Sequence, residues 1–169
     1  MYLELCRQFK KQLGQVDKWL DMAVAQAKAK SFDPNLYLGF RLAPDQFAFA
    51  RQVQIACDTA KLGVARAAGK EAPNHPDTEQ TIDELRARVK TVIAYLDGFT
   101  AKDFEGAQAR TVTQPRWEGK VMNVPDYFVE HAIPNFFFHL SHVYAILRHN
   151  GVDLGKRHYL GPLSLRDPS

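Results

Sequence analysis

The chain has 169 residues, enough for one domain with a sizeable core. Its hydrophobic share of 46% with 24% charged residues excludes a disordered chain. The net charge of +3 comes from 22 basic and 19 acidic side chains scattered without a basic run. This argues against a nucleic-acid or membrane-surface partner. No stretch approaches the roughly 20 apolar residues of a spanning helix. The segment Met1–Arg7 has an early acid and no signal-type apolar core, so a cytoplasmic protein is expected.

The first predicted helix runs from about Tyr2 to about Lys30. Tyr2, Cys6, Phe9, Leu13, Val16, Leu20, Ala23 and Ala27 recur in steps of four and three, which places them on one face. Ser31-Phe32-Asp33-Pro34-Asn35 stops it, because proline bars the helical conformation in the residue before it. Pro44 suits the first turn of a second helix, where a missing N–H costs nothing. Phe49, Val53, Ala56, Ala60, Val64 and Ala67 form its stripe, and Gly69 is placed to cap its C-terminus. Cys6 and Cys57 both point inward on these wheels and are expected to be reduced, buried thiols. Asp58 falls opposite the main stripe, near Arg51 and Lys61, and reads as a solvated charge.

Thr81-Ile82-Asp83-Glu84 has the form of a capping box and opens a third helix, with Leu85, Val89, Val92 (or Ile93) and Leu96 on its apolar face up to Gly98. Arg110–Thr113 and Lys120–Val124 are β-prone and flank Gln114–Gly119, which predicts a small hairpin with Trp117 at its tip, packing locally or, as the alternative, meeting a partner. Pro125 opens a fourth helix that ends at Asn150-Gly151, with Pro134 as a kink or restart. An irregular tail follows, lying against the bundle.

The fourth helix carries no Asp, Glu, Lys or Arg between His131 and Leu147, so it is apolar almost all round and should be buried on more than one side. Enclosure within the bundle, contact with a second copy of the chain, or both would satisfy it. A homodimer is expected on this ground. His131, Asn135, His139 and His142 step along one face and form the candidate ligand pocket. His139 and His142, one turn apart, could share a divalent metal; two imidazoles fall short of the three or four protein ligands that zinc takes. Otherwise they are neutral core histidines satisfied by hydrogen bonds. No nucleophile–base arrangement and no phosphate-binding glycine loop is legible, so no catalytic residue is assigned.

The stretch Pro134-Asn135-Phe136-Phe137-Phe138-His139, the segment Tyr144–Val152 with Gly155-Lys156, and Arg41–Asp45 with Gln52–Asp58 resemble an uncharacterised domain-of-unknown-function family. That family is grouped with the DinB/YfiT-like metalloenzymes, and the resemblance covers nearly the whole chain. It implies an all-α fold, an up-down-down-up bundle of four helices, frequently dimeric. The better-known members of the superfamily hold nickel or zinc with three histidines, one on the second helix and two on the last helix four residues apart. Some are transferases or isomerases that use a low-molecular-weight thiol. In this chain His139 stands for the first of that pair, Val143 occupies the position of the second, and the second helix has no histidine. The resemblance therefore implies the fold and predicts a degenerate, metal-free, non-catalytic domain that binds a small molecule or a partner, with no cofactor. The alternative is a nickel- or zinc-dependent thiol transferase using His139 and His142. A structural or stress-associated partner protein is a third possibility.

Overall fold

The computed structural model describes residues 1–168. α1 (Tyr2–Ala29) buries Tyr2, Cys6, Phe9, Leu13, Val16, Leu20, Ala23 and Ala27, the whole expected stripe, and Trp19 with it. A 3₁₀ helix follows at Pro34–Gly39, started by Asp33, whose carboxylate accepts from the Asn35 N–H at 2.9 Å. α2 (Phe49–Ala68) begins five residues later than Pro44 suggested. Pro44 lies in a turn, and Arg41 donates to its carbonyl oxygen at 3.2 Å. Gly69 closes α2 in the left-handed conformation, φ +66, which glycine adopts without a Cβ penalty.

α3 (Ile82–Asp97) starts at the expected capping box. The Glu84 N–H donates to Thr81 Oγ1 at 3.1 Å, and Glu84 accepts from the Thr81 N–H at 3.0 Å. Short 3₁₀ turns lead to the predicted hairpin. There β1 (Thr111–Val112) pairs antiparallel with β2 (Met122–Asn123), Thr111 opposite Asn123 and Val112 opposite Met122.

The last long helix is one continuous rod in three parts: α4 (Val124–Asp126), a π-helical turn (Tyr127–Ala132) and α5 (Ile133–His149). Pro134 neither ends nor restarts it. Proline removes one N–H from the ladder, and the wider i→i+5 turn directly upstream absorbs that loss. The expected irregular tail includes a short helix, α6 (Lys156–Leu160). Its Tyr159 ring stacks on Trp19 with centroids 5.8 Å apart, and the Trp19 indole donates to the His158 carbonyl at 3.1 Å.

The helices form the up-down-down-up bundle, with α1 against α3 and α2 against α5. Because α2 and α3 run the same way, the chain between them must return along the bundle. Contacts of Lys61 with His75, Gln54 with Glu79 and Arg51 with Asp77 trace residues 70–80 back along α2 as an extended strap. Phe9, Leu13, Val53, Leu85, Val89, Phe136, Leu140 and Val143 are fully buried at the centre. No helix among the described residues is long and apolar enough to cross a membrane.

The surplus apolar surface of the last helix is mostly covered within the chain. Phe128, Phe136, Leu140, Val143, Ile146 and Leu147 are buried, and Tyr159 packs on Tyr144; Val129 and Phe138 stay exposed.

Candidate functional site

α2 and the last helix pack antiparallel, and three of the four predicted pocket residues face α2 across that seam. Asn135 donates its side-chain amide to Thr59 Oγ1 at 2.7 Å. His139 is 6% exposed, and its Nδ1 lies 2.7 Å from Gln52 Oε1. An amide oxygen only accepts, so His139 carries its proton on Nδ1. Burial, reinforced by His142 and Arg51, lowers its pKa to about 4, and the ring is neutral near pH 7. His142 turns away. Its Nδ1 donates to the Phe138 carbonyl one turn back at 2.7 Å, and its ring lies against the Phe138 ring at 4.2 Å.

The four residues therefore do not make one pocket. His131 and Asn135 line an open cleft of about 160 Å³ between α2, the hairpin and the π-helical turn. His139 is packed below it between helices, and His142 is half outside the bundle. The π turn takes His131 off the α-helical wheel of the other three, and within α5 His139 bonds to Gln52 while His142 turns back onto the Phe138 carbonyl. Val143 is wholly buried among apolar side chains. On this geometry the pair four residues apart that opens onto a cleft beside α2 is His131 and Asn135, rather than His139 and Val143.

The cleft wall is built from three sources. Arg51, Asp58, Thr59 and Arg66 project from α2; Gln114 and Arg116 come from the hairpin; Tyr127, His131 and Asn135 come from the last helix. The Arg66 guanidinium donates to the Tyr127 hydroxyl at 3.0 Å and lies over the same ring. Arg116 contacts His131 Nε2. The His131 ring is stacked on Tyr127, centroids 5.4 Å apart, with Trp117 edge-on at 5.8 Å. Trp117 thus has the packing role expected of it. Burial, then the charges of Arg116 and Arg66, lower the His131 pKa below the usual histidine value.

Behind the cleft, Asp58 is not the solvated charge expected from the helical wheel. It lies 2.9 Å from Lys61 Nζ and 3.0 Å from Arg88 Nη2, and both cations are almost fully buried. Arg88 also reaches Asp77 and Glu79, each at 3.0 Å, and donates to the Pro76 carbonyl at 3.1 Å. Burial opposes the charge on Glu79, but hydrogen bonds from Arg88, its own backbone N–H and Gln54 outweigh it and hold its pKa below the carboxylate norm. This cluster ties the strap to α2 and α3.

The donor chemistry does not fit nickel or zinc. No group of three or more histidine, cysteine or acidic side chains positioned to hold a metal ion occurs among the described residues. At the cleft, His131 Nε2 faces a guanidinium and the Asn135 amide is engaged by Thr59. Cys6 and Cys57 are free and buried, and burial raises their thiols to about 11 and about 12, so neither is a ready thiolate.

The fold and this seam define a DinB-like helical bundle. The family model described as a domain of unknown function (DUF1993) matches residues 1–160, and the chain belongs to that family. It is also similar to the crystal structure of a DinB family member protein from Shewanella denitrificans, with 47% identity over 98% of this chain and 95% of that one, at a TM-score of 0.95. No protein with a curated description matches.

Proposed function

We propose that this chain is a metal-free, non-catalytic member of the DinB-like bundles that binds a small molecule in the cleft between α2 and the π-helical turn. The observation that carries this reading is the composition of the cleft wall. Its polar groups are guanidiniums, amides, a threonine and a tyrosine hydroxyl, the Asp58 carboxylate and one histidine already faced by Arg116, with no second histidine beside it. Guanidiniums only donate and do not ligate metals, whereas they fix polar solutes well. Asn135 and Thr59 hold each other and close the floor of the cleft.

Elemental analysis combined with native mass spectrometry of protein purified without a histidine tag tests the reading. The expected result is less than stoichiometric nickel or zinc and a mass that shifts with small organic solutes. About one metal per chain, lost together in His131→Ala and Asn135→Ala variants or in His139→Ala and His142→Ala variants, would instead promote a thiol-dependent transferase.

The same reading includes a homodimer. Val129 and Phe138, at 70% and 55% exposure, lie on the last helix and would be covered by a second copy. Light scattering on the size-exclusion peak should report about twice the 19.2 kDa chain mass. A monomer at micromolar concentration would remove this part of the proposal.

A further inference from the structure

The charged groups of the cleft do not balance. Arg51 is paired with Asp77, and Asp58 is compensated from behind by Lys61 and Arg88. Arg66 and Arg116 have no acidic partner within ion-pair distance among the described residues; their contacts are Tyr127 and His131. Two more donors are left over. Arg116 can only donate to His131 Nε2, so the neutral ring carries its proton on Nδ1, a buried atom without a hydrogen-bond partner. Gln114 Nε2 is likewise buried and unpartnered. Buried polar groups in folded proteins are nearly always satisfied, so unmatched donors in one wall point to an acceptor that belongs there.

We propose that the cleft is an oxyanion site, in which Arg66 and Arg116 bind the carboxylate or phosphate group of a small solute. This rests on the small-molecule reading above and names the ligand's chemistry. An oxyanion offers only acceptors, which suits two guanidiniums without a carboxylate partner, and guanidiniums match carboxylate and phosphate geometry in paired hydrogen bonds. The volume of about 160 Å³ equals the liquid share of roughly five waters, which suits a short-chain acid or a phosphate group. Burial lowers the His131 pKa most, and the charges of Arg116 and Arg66 add to it, as an uncompensated positive field at this spot would. Trp117 and Tyr127 wall the His131 ring on two sides and would sense an occupant.

The test is a titration of the full chain with succinate and, separately, inorganic phosphate, using succinamide as the uncharged match. The Trp117 indole N–H signal, assigned through a Trp117→Phe variant, and the His131 ring signals are followed by nuclear magnetic resonance. A saturable shift at Trp117 is expected with at least one anion, and the arm that responds separates a carboxylate from a phosphate site. The bound anion should raise the His131 pKa. Arg116→Gln and Arg66→Gln should each weaken binding at least about tenfold, the scale of one charge-assisted hydrogen bond. Arg116 is exposed, so its variant keeps the fold. Succinamide binding as well as succinate would overturn the oxyanion assignment while leaving the small-molecule reading intact. Anion affinity unchanged in both arginine variants, or no saturable shift with either anion, would overturn it too. A stoichiometric metal in the elemental analysis would fail the underlying reading itself.

Discussion

Two charged regions flank α2, and they are built on opposite terms. On the α3 side, Lys61 and Arg88 are buried among Asp58, Asp77 and Glu79, and each cation sits at about 3 Å from a carboxylate. On the side of the last helix, Arg66 and Arg116 border a cleft whose one carboxylate, Asp58, is held from behind by Lys61 and Arg88 and forms no ion pair with them. Burying an ion is costly unless a counter-charge and hydrogen bonds come with it, so the first region can be enclosed and the second must stay open to solvent. Compensated charge here is architecture, holding the strap to the bundle. Uncompensated charge on a neighbouring face is left for something outside the chain.

The largest effect that would break this contrast is expected at Arg88. Arg88→Ala leaves Asp58, Asp77 and Glu79 without their shared cation, and should cost about 3–5 kcal/mol in urea unfolding. A loss below about 1 kcal/mol, typical of exposed pairs, would mean that the cluster is solvated and not structural.

The next effect concerns His139, which separates the enclosed part of the α2 seam from the open cleft. Its folded-state pKa of about 4 lies below the ordinary 6.5, so the unfolded chain takes up a proton first as pH falls. The stability it contributes is complete above about pH 6.5 and is lost as pH falls toward about 4, by roughly 3 kcal/mol at most. Unfolding free energies measured between pH 7 and pH 4 should therefore fall less steeply in His139→Gln than in the parent. Equal slopes would show that the His139 ring is not buried neutral.

The smallest expected effect sharpens the comparison most. Arg116→Gln should leave stability within about 0.5 kcal/mol of the parent, because no buried partner depends on the lost charge. A destabilisation comparable to that of Arg88→Ala would place both regions in the same structural class.

Much of the scaffold was legible in the sequence because its determinants are local. The α1 stripe, the Thr81–Glu84 capping box, the Gly69 cap and the pairing of Thr111–Val112 with Met122–Asn123 each depend on residues a few positions apart. What the sequence hid was set by distant partners. Pro44 looked like a helix start, but α2 opens at Phe49, whose N–H donates to the Phe40 carbonyl at 2.8 Å. Asp58 read as a solvated charge, and only the return of the strap along α2 encloses its partners Lys61 and Arg88. The cleft was half visible. His131 and Asn135 were candidates, whereas Arg66, Gln114 and Arg116 come from separate elements that meet only in the fold. The run of four residues on the last helix failed at His142 because its ring turns back onto the Phe138 carbonyl within α5, a rotamer choice that a helical wheel does not encode.

That change of pitch has a consequence for how the family can vary. A π-helical turn behaves as a helix carrying a surplus residue, and Tyr127–Ala132 confines that surplus to the stretch before Pro134. Downstream, Phe136, Leu140 and Val143 are buried in the core on the regular α-helical pitch of α5. A single-residue insertion or deletion within the turn would swing His131 around the rod while sparing that packing. The last helix is thus divided into a conserved-geometry stem and an adjustable crown, so descendants of one scaffold could trade one cleft chemistry for another by a change of register, without rebuilding the bundle.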